Sequence, residues 1–110
     1  MRRRRDLVMN AALKKTKTTN VLNVNHPDKV SALDAEKYAA MKRAFLRVLP
    51  KTGPGLTAEQ IRKRVLDYLP SDVFPGGARA SWWTKTVQLD LEARGTVVRE
   101  KCTPLRWRKR

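Results

Sequence analysis

Gly76-Gly77-Ala78-Arg79-Ala80-Ser81-Trp82-Trp83-Thr84-Lys85-Thr86-Val87-Gln88-Leu89-Asp90-Leu91-Glu92-Ala93-Arg94-Gly95 reads as one helix closed by a glycine. At about 100° per residue, Ser81, Thr84, Gln88 and Glu92 gather around Lys85. Trp83, Val87 and Leu91 fall on the opposite arc, and Trp82, Leu89 and Ala93 are read with them as its apolar side. The spacing predicts a helix over residues 80–94, anchored inward by both tryptophans and carrying one narrow polar ridge. A helix that lies in a DNA groove needs that division, since one side rests on a core while the other meets bases and phosphates.

Upstream of it, Thr57-Ala58-Glu59-Gln60 spells a capping box, in which the Thr57 hydroxyl accepts from the third helical amide and Gln60 reaches back to the cap. Ala58, Ile61, Val65, Tyr68 and Leu69 give that second helix an apolar side, and Pro70 ends it. Lys51-Thr52-Gly53-Pro54-Gly55-Leu56 breaks any helical ladder before it. An earlier helix is expected from about Asp34 to Leu49, capped by Asp34 or Ser31 and stopped at Pro50, with Tyr38, Met41, Phe45, Val48 and Leu49 facing the core. The connection from Pro70 to Gly77 is longer than a minimal helix-turn-helix turn of about three or four residues. Phe74 is expected to plug the core from it. Downstream, Gly95 stands where a helix C′ glycine belongs, and residues 96–102 and 105–110 alternate as two strands around Thr103-Pro104, with Leu105 and Trp107 on one face and Arg106, Arg108 and Arg110 on the other. Trp107 is expected inside. The fold class this predicts is mainly α with a small β-hairpin: a winged helix-turn-helix of three helices plus a wing over residues 25–110, preceded by a basic, flexible arm over residues 1–24.

The chain has 110 residues, with 25 Lys and Arg against 10 Asp and Glu, a formal charge of +15. That length suits one small domain with a core. The charge makes polyanions the natural partners, nucleic acid first among them. Arg2, Arg3, Arg4, Arg5, Lys14, Lys15 and Lys17 make the first 24 residues basic. The apolar stretch after the arginines is interrupted by Asp6 and Asn10 and is too short for a signal peptide, and no run approaches a membrane span. A cytoplasmic address and no membrane partner are therefore expected. Cys102 and His26 are the only residues of their kinds, which excludes an internal disulfide and leaves no metal site or cofactor to expect.

An enzyme is not expected either. Asp90 and Glu92 stand two apart and point in different directions on a helix, and Gly53-Pro54-Gly55 lacks the Lys-Ser/Thr of a phosphate-binding loop. The candidate residues are instead those of a DNA-binding surface. Thr84, Lys85 and Gln88 would meet bases or phosphates, Gln88 pairing with adenine and Lys85 reaching guanine, while Arg79 and Ser81 would sit near a phosphate at the helix start. Arg106, Arg108 and Lys109 would track the backbone from the wing. Asp90 and Glu92 oppose this, because carboxylates beside the ridge repel phosphate; they would face cytosine, bond Arg94, or mark a protein partner. Double-stranded DNA is the expected ligand, with a transcription-regulating role as its extension and a homodimer left open. A protein-interaction module and an RNA-binding module are the alternatives.

His26-Pro27, Lys37-Tyr38 with Met41-Lys42, Gly55-Leu56-Thr57, Leu69-Pro70, Phe74-Pro75-Gly76-Gly77, Trp82-Trp83 with Lys85, the run from Val87 to Gly95, and Pro104-Leu105-Arg106-Trp107 together carry a resemblance. Over about residues 25–108 the chain resembles a small, largely uncharacterised bacterial family of winged-helix-like proteins catalogued as a domain of unknown function. The resemblance implies a winged-helix fold in a bacterial cytoplasmic protein. It implies no activity.

Overall fold

The computed structural model describes residues 17–110. The arm expected at the N-terminus, with its Arg2 to Arg5 run, falls over residues 1–16 outside the described residues. Its remainder does not form an arm. Strand β1, Thr18–Val21, pairs antiparallel with β2, Ser31–Asp34, Thr18 facing Asp34 and Val21 facing Ser31. The turn between them is closed locally. The Asn23 carbonyl accepts the His26 amide at 2.9 Å, the His26 carbonyl accepts the Lys29 amide at 3.0 Å, and Asn23 Oδ1 accepts the Asn25 amide at 2.8 Å. Asparagine side chains that bond the backbone two residues on make such turns.

Helix α1, Ala35–Val48, begins where Asp34 Oδ1 accepts the Lys37 amide at 3.0 Å. Strand β3, Leu56–Thr57, leads into α2, Ala58–Val65, through the capping box: Gln60 N donates to Thr57 Oγ1 at 3.2 Å and Thr57 N to Gln60 Oε1 at 3.0 Å. A 3-10 turn over Leu66–Tyr68 and another over Pro75–Gly77 lead to α3, Ala80–Ala93. Its end is a Schellman closure. The Gly95 amide donates to Glu92 O at 3.1 Å and the Thr96 amide to Leu91 O at 2.9 Å, with Gly95 at φ +79°. Strands β4, Val97–Glu100, and β5, Arg106–Lys109, follow, and the second sheet has the antiparallel order β3-β5-β4. Gly55 is required there, since a Cβ would lie 2.1 Å from the Trp107 carbonyl oxygen.

The core is shared by Met41 and Phe45 of α1, Ile61 and Val65 of α2, Trp83, Val87 and Leu91 of α3, Val97, and Trp107. Phe74 plugs it from the connecting loop, edge-on to Trp83 at 6.5 Å between centroids.

The winged helix-turn-helix expected from the sequence is overturned. The described residues make a small mixed α/β fold of three helices and five strands in two sheets, where three helices and one hairpin were expected. Two physical causes separate the outcome from the expectation. The β-branched Thr18, Thr19 and Val21 form a strand once Ser31–Asp34 supplies a partner, and the two residues of β3 gain ladder bonds only from β5, about fifty positions away.

Candidate functional site

Helix α3 turns a different side to the core from the one its polar pattern implies. Trp82 is 46% exposed, whereas Thr84 and Gln88 are 3% and 2% exposed. Both polar side chains have partners that let them face inward. Thr84 Oγ1 donates to Ala80 O at 2.7 Å, and Gln88 Nε2 donates to Glu92 Oε1 at 3.1 Å. Back-bonding within a helix satisfies a hydroxyl or an amide that would otherwise hold out for water. Thr84 and Gln88 are therefore corrected from groove-facing to interior residues.

The eight residues singled out from the sequence divide accordingly. Arg79, Ser81 and Lys85 are exposed along the first turns of α3. Arg106 donates to Gly55 O at 2.9 Å, and Arg108 lies 3.3 Å from Glu100, so these two arginines are tied to the sheet and not held out from it. Lys109 is half-buried on β5. A continuous surface from the recognition ridge to the wing is not formed by these eight.

The three carboxylates near α3 and its following strand are turned inward. Asp90 is fully buried; its carboxylate accepts the Tyr38 phenol, the Leu22 amide at 2.8 Å and Arg94 Nε at 2.9 and 3.0 Å. Burial, then the hydrogen bond to Asp90, pushes the Tyr38 hydroxyl up to about 12. The same carboxylate holds the Arg94 guanidinium above its ordinary value through its hydrogen bond. Glu92 accepts Trp107 Nε1 at 2.7 Å and pairs with Arg99 at 3.0 Å, and Glu100 Oε1 accepts the Gly55 amide at 2.8 Å. Of the three roles left open for Asp90 and Glu92, bonding Arg94 is the one Asp90 takes.

Two clefts flank the exposed start of α3. One, of about 310 Å³, lies between the β1–β2 hairpin and α3, and includes Lys29, Trp82, Lys85 and Leu89. The other, of about 370 Å³, lies between α2 and α3, and includes Arg62, Lys63 and Ser81. Lys29, Arg62, Lys63 and the exposed Trp82 were not among the residues selected from the sequence. Arg62-Lys63-Arg64, a basic run on the side of α2 away from Ile61 and Val65, was the available signal for two of them. Arg79 reaches back over Trp82, 5.5 Å from the ring centroid, and holds the left-handed backbone at φ +62° without capping α3.

Among the described residues, no three His, Cys, Asp or Glu side chains gather where they could hold a metal ion, and no helix is long and apolar enough to cross a membrane. No curated protein and no solved structure matches the chain. A family of unknown function, DUF6958, matches residues 18–107, from the start of β1 through the three described helices and β4 to the middle of β5. The chain belongs to that family.

Proposed function

We propose that this protein binds nucleic acid, duplex DNA in the first instance, by phosphate contact through the exposed start of α3 and the cations beside it. The observation that carries the reading is the division of charge. Asp90, Glu92 and Glu100 are each drawn inward onto an arginine, while Arg79, Lys85, Lys29, Arg62 and Lys63 stay exposed around one helix start. Among the described residues, Lys63 pairs with Glu59 alone, at 3.6 Å and exposed to solvent, which water and salt weaken. A face left cationic after internal pairing, on a chain of charge +15, attracts a polyanion. The interior position of Gln88 and Thr84 removes the pair that would have read bases, so the affinity is led by the backbone and not by sequence.

The test is the salt dependence of binding to a random-sequence duplex. Affinity should fall steeply with added salt, and Arg79→Ala and Lys85→Ala should each flatten the slope by about one unit. Absence of binding at low salt would end the proposal. A second reading, a protein-interaction module that closes over Trp82 with a partner or a second copy, is favoured by that one half-exposed indole. Structured RNA titrated beside the duplex separates the remaining alternative.

A further inference from the structure

We infer that the cleft between the β1–β2 hairpin and α3 is a subsite for one unpaired nucleotide, its base stacked on Trp82 and its phosphate held by Lys29 and Lys85. The inference rests on the nucleic-acid reading and adds to it a class of ligand, an exposed base, that phosphate contact alone does not require.

The cleft's two walls are fastened to each other. The Leu22 amide donates to Asp90 at 2.8 Å, Arg94 donates to Asn20 O at 2.8 Å, and the Val24 amide donates to Leu89 O at 3.3 Å. The space therefore exists before a ligand arrives, and its volume of about 310 Å³ is at the lower end for small-ligand clefts. Its lining combines apolar surface from Leu33 and Leu89, the Trp82 indole, and two lysines, with no acidic side chain among the described residues. That pairing suits a ligand with one flat apolar part and one anionic part. Trp82 offers the flat part a half-exposed indole: it stands edge-on to Trp83, 5.2 Å between centroids at 84°, with the Arg79 guanidinium over the ring at 5.5 Å, so a stacked base shares the indole with that cation. A base inside a duplex offers only its edge, so stacking on this indole selects a base outside a duplex.

The experiment titrates the full chain with an oligothymidylate of about ten nucleotides, with blunt duplex, and with thymidine monophosphate, reading the heat of binding in every variant and tryptophan emission in the wild type. Oligothymidylate should quench the emission, and Trp82→Ala should weaken oligothymidylate about tenfold more than it weakens duplex. Trp82→Phe should recover most of that loss, which separates stacking from misfolding. Monophosphate binding that Trp82→Ala removes and Trp82→Phe restores would also support the subsite and identify a free nucleotide as a sufficient ligand. Equal losses on both polymers overturn the subsite. Duplex binding that persists while oligothymidylate ignores Trp82 overturns the subsite and leaves the wider reading standing. Binding to neither polymer removes both.

Discussion

The Leu22 amide donates to Asp90 Oδ1 across 2.8 Å, joining residues 68 positions apart in the chain. The same carboxylate takes the phenol of Tyr38 and the guanidinium of Arg94, so β1, α1 and α3 meet on one buried anion. The hairpin is thereby part of the helical core's polar network, and one wall of the candidate site depends on it.

Asp90→Ala should loosen that wall. Removing one partner of a buried pair costs about 3–5 kcal/mol, and the 40% exposure of the Arg94 side chain lowers the expected loss to about 2–3 kcal/mol. Asp90→Asn keeps an acceptor for Leu22 and should cost less. Urea unfolding gives the stability, and hydrogen exchange at the Leu22 amide should accelerate in Asp90→Ala before the amides of α1 respond.

Tyr38 makes stability depend on pH at the alkaline end. Its hydroxyl is pushed up to about 12 in the fold by burial and by Asp90, against 10.0 ordinarily. Above about pH 10 the unfolded chain therefore gives up this proton first and the native state holds more protons, so stability falls as pH rises. The contribution is fully present below about pH 10 and is lost by about pH 12. Chemical denaturation across that window should show a decline that is smaller in Tyr38→Phe; phenolate absorbance in a Tyr68→Phe background reports Tyr38 alone. An identical decline in Tyr38→Phe would assign the effect elsewhere.

Arg79 separates stability from binding. A non-glycine residue in the left-handed region costs about 1–2 kcal/mol, and the cation over Trp82 returns about 0.5–1 kcal/mol at an exposed site. Arg79→Gly should raise the melting temperature by a few degrees, whereas Arg79→Ala should not, because alanine keeps the strain and loses the cation. Both should weaken duplex binding equally. A glycine variant that melts lower than the alanine variant would contradict the strain assigned to this backbone.

What was legible in the sequence was what neighbouring residues decide among themselves. Asp34 as the cap of α1, the Thr57–Gln60 box, the Gly95 closure and the inward Trp107 and Phe74 all appear as expected, since each rests on contacts local to one element or on a large aromatic with nowhere else to go. The β1–β2 hairpin was not legible. Its strands contain Thr18, Thr19 and Asn20, which resemble a polar tail until Asp90 and Arg94 bond Leu22 and Asn20 from α3. The roll of α3 was hidden for a related reason: a wheel counts Thr84 and Gln88 as polar and cannot see that Ala80 O and Glu92 already satisfy them. The acids followed suit, since Arg99 and Trp107 reach Glu92 only after β4 and β5 have folded back.

Gln88 and Lys85 test that roll directly, because they are three residues apart with opposite expected effects. Gln88 is 2% exposed and its amide bonds the Glu92 carboxylate that also holds Trp107, so Gln88→Ala should cost about 1–2 kcal/mol of stability. Its folded fraction should bind duplex as the wild type does. Lys85 is exposed, and Lys85→Ala should leave the melting temperature within a degree or so while lowering the salt slope by about one unit. Thermal melts paired with binding isotherms at several salt concentrations resolve the two. An unchanged melting temperature in Gln88→Ala together with an altered base preference would return that side chain to the binding face and remove the roll of α3 on which the candidate site is built.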